Sequence, residues 1–345
     1  MSVDTPANYI QSMQVHLIDT IPTTRDEYER CEKLLNAHMK SWSQILKFTQ
    51  RVSYNFQASN NEIPPLYGLR KDHKAIPPGS EEVGPPQRPV CGAVVSCNYR
   101  ISHFISSIIR PIIEQAPEPC NSTDDLLSRI HEVNESEDLT GCIIGSMDVE
   151  ALYPSIDINF SVEKCVELIY ESGVQFKNAD INELGLYLAL CMEPAELIAK
   201  EIAQFCPTRK KKGKKPTITA SGTETNEQKR WSCWNRSQNK PNEDEQRKMV
   251  TAALGVAMKT TLKNHIFTFN GEVRKQKNGG AIGVKAAGDI AGLFMIWWDR
   301  TFLRRVQEEG LSMKMYTRYV DDETIVAKSI DGGDGNPDER TMTKM

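Results

Sequence analysis

Apolar residues recur at intervals of three and four along much of this chain. Ile101, Phe104, Ile105, Ile108, Ile109, Ile112 and Ile113 form one such stripe and predict a core-facing helix. Pro111 is expected to kink that helix near its end. Val162, Cys165, Val166 and Ile169 predict a second helix, closed by Gly173. Leu184, Tyr187, Leu188 and Cys191 support a third. Val250, Ala253, Leu254, Ala257, Met258, Thr261 and Leu262 support a fourth. Helices are also expected from Thr24 to Phe48, where Asp26-Glu27-Tyr28-Glu29 suits a first turn, and from Lys285 through Trp297 to Val306. Trp297 and Trp298 are expected to serve the core or a surface rather than to stack on bases. Strand-like runs are shorter. Cys142 to Met147 is apolar and ends in Asp148. Ile266 to Arg274 reads as a hairpin around Asn270-Gly271. Met313 to Val320 and Thr324 to Ala327 flank a pair of aspartates. Helices mixed with antiparallel hairpins place the chain in the α+β class.

Composition then divides the chain. Residues 206–248 are mostly polar and charged, and Arg209-Lys210-Lys211-Lys212-Gly213-Lys214-Lys215 concentrates cations in one short run. This stretch reads as a flexible insertion. Its basic run suits a nucleic-acid backbone or a nuclear-import address, and a solvated loop suits it as well. Trp231 and Trp234 suggest that part of it docks on the body or stacks on a base, with core packing favoured. Ile76-Pro77-Pro78-Gly79 and Gly84-Pro85-Pro86 bracket an exposed loop. The 345-residue chain as a whole is ordinary for a globular protein, at 39% apolar and 26% charged residues. A net charge of −4 leaves room for a nucleic-acid groove, because such a groove needs local and not total basic charge. Nine cysteines without a Cys-x-x-Cys pair, and no signal peptide, suggest reduced thiols and an intracellular place, nuclear or cytoplasmic. No apolar run approaches the roughly 20 residues of a membrane span, so no membrane partner is expected.

The strongest chemical signal is Tyr316-Thr317-Arg318-Tyr319-Val320-Asp321-Asp322-Glu323. Adjacent carboxylates at a hairpin tip repel unless a cation sits there, although a solvated turn also tolerates them. Mg²⁺ suits such a pair because it takes hard oxygen ligands. Far upstream, Asp148-Val149-Glu150-Ala151-Leu152-Tyr153 puts an aromatic five residues after a strand-ending Asp. That segment resembles motif A of reverse transcriptases, and Tyr319-Val320-Asp321-Asp322 resembles their motif C. Gln276-Lys277-Asn278-Gly279-Gly280-Ala281-Ile282-Gly283, opening a long helix, is similar to motif B. The three stand in the family's order. Tyr67-Gly68-Leu69-Arg70-Lys71-Asp72-His73-Lys74 and Arg88-Pro89-Val90 resemble the fingers elements of retroelement polymerases, and the ordered set resembles Penelope-like and related eukaryotic retroelement enzymes over roughly residues 60 to 330.

The resemblance implies a right-hand polymerase fold. Residues 1–55 would be a helical extension, 56–140 fingers, and 141–330 a palm whose antiparallel sheet is backed by helices. Residues 331–345 would be a disordered tail, with the thumb missing. The implied activity is RNA-directed DNA synthesis with two Mg²⁺ ions, or Mn²⁺ in their place. An RNA template, a DNA primer and deoxynucleoside triphosphates would be the partners. Asp148 and Asp321 would bridge the ions, Asp322 would assist, and the Val149 carbonyl would add a ligand. Tyr153 matches the steric gate against ribose, although a half-buried tyrosine beside a strand also fits. Lys71, Lys74 and Arg88 would meet the triphosphate or template backbone, unless they are plain surface cations. Gln276, Gly279, Gly280, Gly283 and Tyr319 would contact template or primer.

Two departures from the family pattern stand out. Val284-Lys285 replaces the Ser-Pro pair that often follows motif B, and Glu323 replaces an apolar residue after the aspartates. Glu323 is expected either to crowd the site or to face solvent. A truncated or domesticated palm that binds nucleic acid or protein without turnover is the alternative function.

Overall fold

A computed structural model describes residues 6–57, 61–71, 85–176, 178–192 and 241–328. Lys74, the basic run, Trp231, Trp234 and the tail lie outside the described residues. Among the described residues, helices mix with three small antiparallel sheets. Contacts divide it into two compact units, residues 1–107 with 153–290, and residues 108–152 with 291–345.

The first unit is built on helices whose caps are legible in the chain. Helix α2 (Arg25–Ile45) starts where the Thr24 hydroxyl accepts the Glu27 amide, as the acidic first turn implied. It ends three residues before the expected Phe48, and Lys47 follows at φ 55°. Its stripe of Tyr28, Cys31, Leu35, Met39, Trp42 and Ile45 is buried. Trp42, fully buried, meets the rings of Phe104 and Tyr187 at 5.0 and 5.9 Å. Helices α7 (Ile158–Glu171) and α8 (Ile181–Cys191) match the predicted stripes and pack on α9 (Glu243–Lys263). Helix α9 begins inside the stretch expected to be flexible. Asn242 and Glu245 form a reciprocal capping box there, which supplies the start signal that composition obscured.

Two sheets complete this unit. Strands β5 (Ile266–Phe269) and β6 (Glu272–Gln276) form the predicted hairpin, with Asn270 and Gly271 both at positive φ. Strand β1 (Thr20–Pro22) adds to its edge, Ile21 opposite Lys275. Residues 6–55 belong to the first unit, joined through β1 to its hairpin sheet. Strands β2 (Leu66–Arg70) and β3 (Gln87–Cys91) pair with Leu69 opposite Arg88.

The second unit holds the three-stranded sheet β4-β8-β7, formed by β4 (Cys142–Asp148), β7 (Met313–Tyr319) and β8 (Asp322–Lys328). Residues 291–308 of α10 (Lys285–Glu308) belong to this unit. Phe302 and Val306 of α10 form a core cluster with Ile325 and Ala327 of β8. Helix α5 (Thr123–Ser136), capped by Ser122, sends Arg129 to the Thr317 hydroxyl at 3.1 Å. Helix α4 (Tyr99–Gln115) runs through Pro111 without ending there. Trp297 stacks on Phe294 and Trp298 is about half exposed, in keeping with a packing and surface use. No helix among the described residues is long and apolar enough to cross a membrane.

Candidate active site

Strand register sets two carboxylates opposite each other at one end of the β4-β8-β7 sheet, with a third in the adjoining loop. Asp148 closes β4, Asp322 opens β8, and the register sets them directly opposite each other. Both are exposed. Directly opposed residues on antiparallel strands hold their Cβ atoms ~4.5–5.5 Å apart, so two like charges there repel. Asp321 occupies the two-residue loop between β7 and β8, and its carbonyl accepts the Val149 amide at 3.0 Å. No side-chain hydrogen bond or ion pair reaches Asp148, Asp321 or Asp322 from another described residue. The structure thus brings together Asp148, Val149, Tyr319, Asp321 and Asp322. Tyr319 pairs with Asp322 in register and is 53% exposed.

Backbone strain sits beside these carboxylates. Val320, the other loop residue, has φ 58°, and Ala151 has φ 51°. The first position of such a tight loop favours Gly or Asn, whereas Val is β-branched and costs more in the left-handed region. Strain of this kind persists where the surroundings hold it in place.

A buried charge cluster lies on the opposite face of the hairpin. Arg318 is buried, and its guanidinium forks onto the buried Asp299 of α10, Nε to Oδ1 at 2.9 Å and Nη2 to Oδ2 at 2.8 Å. The Tyr316 hydroxyl donates to the same carboxylate at 2.7 Å. The free arm of Arg318, Nη1, donates to the Val320 carbonyl at 2.6 Å. Glu323 neither crowds the aspartates nor faces solvent. Strand alternation turns it inward from Asp322, to 2% exposure, across the register from Arg318. Burial first, and the Asp299 charge second, raise its pKa, while Arg318 lowers it. Its Oε1 has no hydrogen-bond partner among the described residues. Sequence reasoning missed this group. The signal was present, because Tyr316, Arg318 and Glu323 fall on the face that buries Ile325 and Ala327, where an unpaired charge is costly.

The remaining candidates belong to the first unit. Tyr153 is half-buried in the short helix α6 (Leu152–Ser155), and its carbonyl accepts the Gly280 amide at 2.8 Å. The glycines of the 276–283 loop were expected to let a template come close. In the structure they let the chain approach itself. A Cβ on Gly279 would strike the Tyr153 and Pro154 carbonyls, and one on Gly283 would strike the Cys91 carbonyl. Gly279 and Gly280 are buried, while Gly283 is exposed. The Cys91 amide donates to Ile282 at 2.7 Å, which fixes this loop to the end of β3. Gln276 is also used internally, its side-chain amide donating to the Asn278 carbonyl at 2.8 Å. The Ala281 amide donates to Nδ1 of His265, a fully buried histidine whose pKa is pushed down to about 4 by desolvation. Val284, at the position of the absent Ser-Pro pair, is buried. Arg88 is exposed on β3, and Lys71 is half-buried with its amide on the Pro86 carbonyl.

Among the described residues, no group of three or more His, Cys, Asp or Glu side chains is gathered as a self-sufficient metal cage. Mg²⁺ does not need one, because it is held by one or two carboxylates together with waters and substrate phosphates. Opposed, exposed carboxylates without a cationic partner fit that mode. No protein-family profile matches the chain, and no curated protein matches it. Solved structures do match. One is telomerase from Candida albicans in complex with the TWJ fragment of telomeric RNA, at a TM-score of 0.40 and 9% identity. The match covers 83% of this chain and 40% of that one, so the chain spans less than half of that protein's length.

Proposed function

We propose that this chain is a reverse-transcriptase-like nucleotidyl transferase of a retroelement, of the Penelope-like kind or a relative, acting on an RNA template and a DNA primer. One observation carries the reading. Asp148 and Asp322 come from two motifs far apart in sequence, and they stand opposite each other in one sheet with Asp321 at the adjoining tip.

The roles follow from chemistry. Two bound Mg²⁺ ions, or Mn²⁺, would activate the primer 3′-hydroxyl and stabilise the departing pyrophosphate. Asp148 and Asp321 would hold them, with Asp322 and the Val149 carbonyl in support. Arg88 and Lys71 offer a guanidinium fork and a point charge to triphosphate or template backbone. Tyr153 would exclude the ribose 2′-hydroxyl by collision. Its carbonyl bond to Gly280 ties the gate segment to the glycine loop, so the gate does not depend on its own short helix for support.

The test is primer extension on an RNA template with Mg²⁺ or Mn²⁺, comparing the parent with Asp148→Asn and Asp321→Asn. Extension that both variants abolish supports the reading. Extension that survives both removes these carboxylates from the chemistry. A parent that binds primer–template tightly yet extends nothing with either ion favours the non-catalytic palm.

A further inference from the structure

We propose that Arg318 and Asp299 are positioning residues for the hairpin tip: the buried guanidinium, locked by Asp299, holds the Val320 carbonyl and keeps the left-handed turn that presents Asp321 and Asp322 beside Asp148. The inference rests on the reading of these aspartates as the ion-binding site.

The geometry divides the guanidinium's work. Nε and Nη2 are occupied by Asp299, at 2.8 to 3.1 Å. That fork fixes the guanidinium plane and leaves Nη1 directed at Val320, 2.6 Å from its carbonyl. Asp299 is itself held by the Tyr316 hydroxyl, so the fork has little freedom to swing. The tip is thereby tied at two successive carbonyls, Val320 by Arg318 and Asp321 by the Val149 amide.

Energetics say what this tie is for. A buried ion pair is weak evidence for fold stability, since apolar residues of similar volume often replace it at no cost. Val320, by contrast, has a standing need. Its left-handed backbone is strained for a β-branched residue, and at 45% exposure its side chain recovers little by packing. A hydrogen bond from a charged donor is among the stronger ones a protein makes, and it works against that strain. Lysine has no fork and cannot lock onto Asp299 while reaching Val320.

The test uses the full chain without metal, and reads amide hydrogen exchange at Val149. In the apolar double variant Asp299→Leu/Arg318→Met, that amide should exchange at least ~10-fold faster, as expected for loss of a charged-donor hydrogen bond. Amides of the β4–β8 ladder away from the tip should keep their rates. Mn²⁺ affinity, read by loss of the free-ion EPR signal, should fall by a similar factor. Adding Val320→Gly, which relieves the left-handed strain, should restore both. Arg318→Lys should speed Val149 exchange as well, and it decides the matter if the double variant does not fold. Parent-like exchange at Val149 in a folded variant overturns the proposal, as does failure of Val320→Gly to restore it. Absence of Mn²⁺ binding in the parent would sink the ion-site reading alone, because the exchange measurement needs no metal.

Discussion

Asp148 stands directly across the β4–β8 ladder from Asp322, two exposed carboxylates with no cationic partner among the described residues. In metal-free buffer this pair is a net repulsion. Asp322→Asn should therefore raise the stability of the metal-free protein by up to ~1 kcal/mol, the range of a directly opposed cross-strand pair. The same variant should gain less from Mg²⁺ than the parent, whose stabilisation would reach about 2.7 kcal/mol at a hundredfold excess over Kd. Thermal melts with and without Mg²⁺ check both signs. A variant that melts lower without metal, or gains as much from Mg²⁺ as the parent, shows that the pair is not the ion site.

Tyr153 bears on substrate choice. Tyr153→Ala should raise ribonucleotide incorporation relative to deoxynucleotide, because exclusion by collision discriminates strongly. Steady-state incorporation of each nucleotide type on an RNA template reads the ratio. An unchanged ratio in an active variant removes Tyr153 from selection. Gly288 offers a control from the opposite side. A Cβ there would lie 3.8 Å from the Tyr153 ring, so Gly288→Ala should pack against the gate and leave the ratio near that of the parent.

The glycines of the 276–283 loop should not be interchangeable with other glycines of positive φ. Gly271 has φ 79° and open space around it, so Gly271→Ala should cost only the left-handed penalty of about 1–2 kcal/mol. Gly279 has φ 65° and two carbonyls where the Cβ would go, so Gly279→Ala should cost clearly more. Urea midpoints of the two variants give the order directly. Equal losses would mean that the loop yields readily and that its contact with the Tyr153 segment matters little.

Two buried histidines predict the response to acid. Desolvation holds His38 and His265 neutral, with pKa values pushed down to about 4. Unfolding lets each return to about 6.5 and take up a proton. The unfolded state thus binds more protons between these limits, so stability is present above pH 6.5 and is lost as pH falls toward 4. Each histidine contributes a slope of about 1.4 kcal/mol per pH unit within that window. His265→Gln should reduce the slope by one proton's worth. A parent whose urea midpoint is flat from pH 6.5 to 4.5 would contradict the neutral assignment. His265 protonation would also remove the acceptor for the Ala281 amide, so the glycine loop should loosen first.

Most helices and both long hairpins were legible because each advertises itself locally. The stripes of α2, α7, α8 and α9 follow helical spacing, and Asn270-Gly271 accepts the positive φ of its turn without strain. Asp148 and Asp321-Asp322 stood out in the sequence as candidates because a strand-ending Asp and an Asp pair between strands serve no packing purpose. Strand β1 was not, since three residues at a sheet edge carry no period that can be counted. The start of α9 was masked by the polar composition around it, although its capping box is local. The fate of Glu323 was decided by the fold alone. Its strand parity turns it inward, but only the arrival of Asp299 from α10 and Arg318 from β7 makes that face a place for charges. The glycine loop is the same kind of case. Its glycines mark a close approach, and only the tertiary structure identifies the approaching atoms as the carbonyls of Tyr153, Pro154 and Cys91. Local rules write elements and turns into a chain because neighbours enforce them. Which distant group meets a buried charge or a bare backbone is set by packing, and no single segment encodes it.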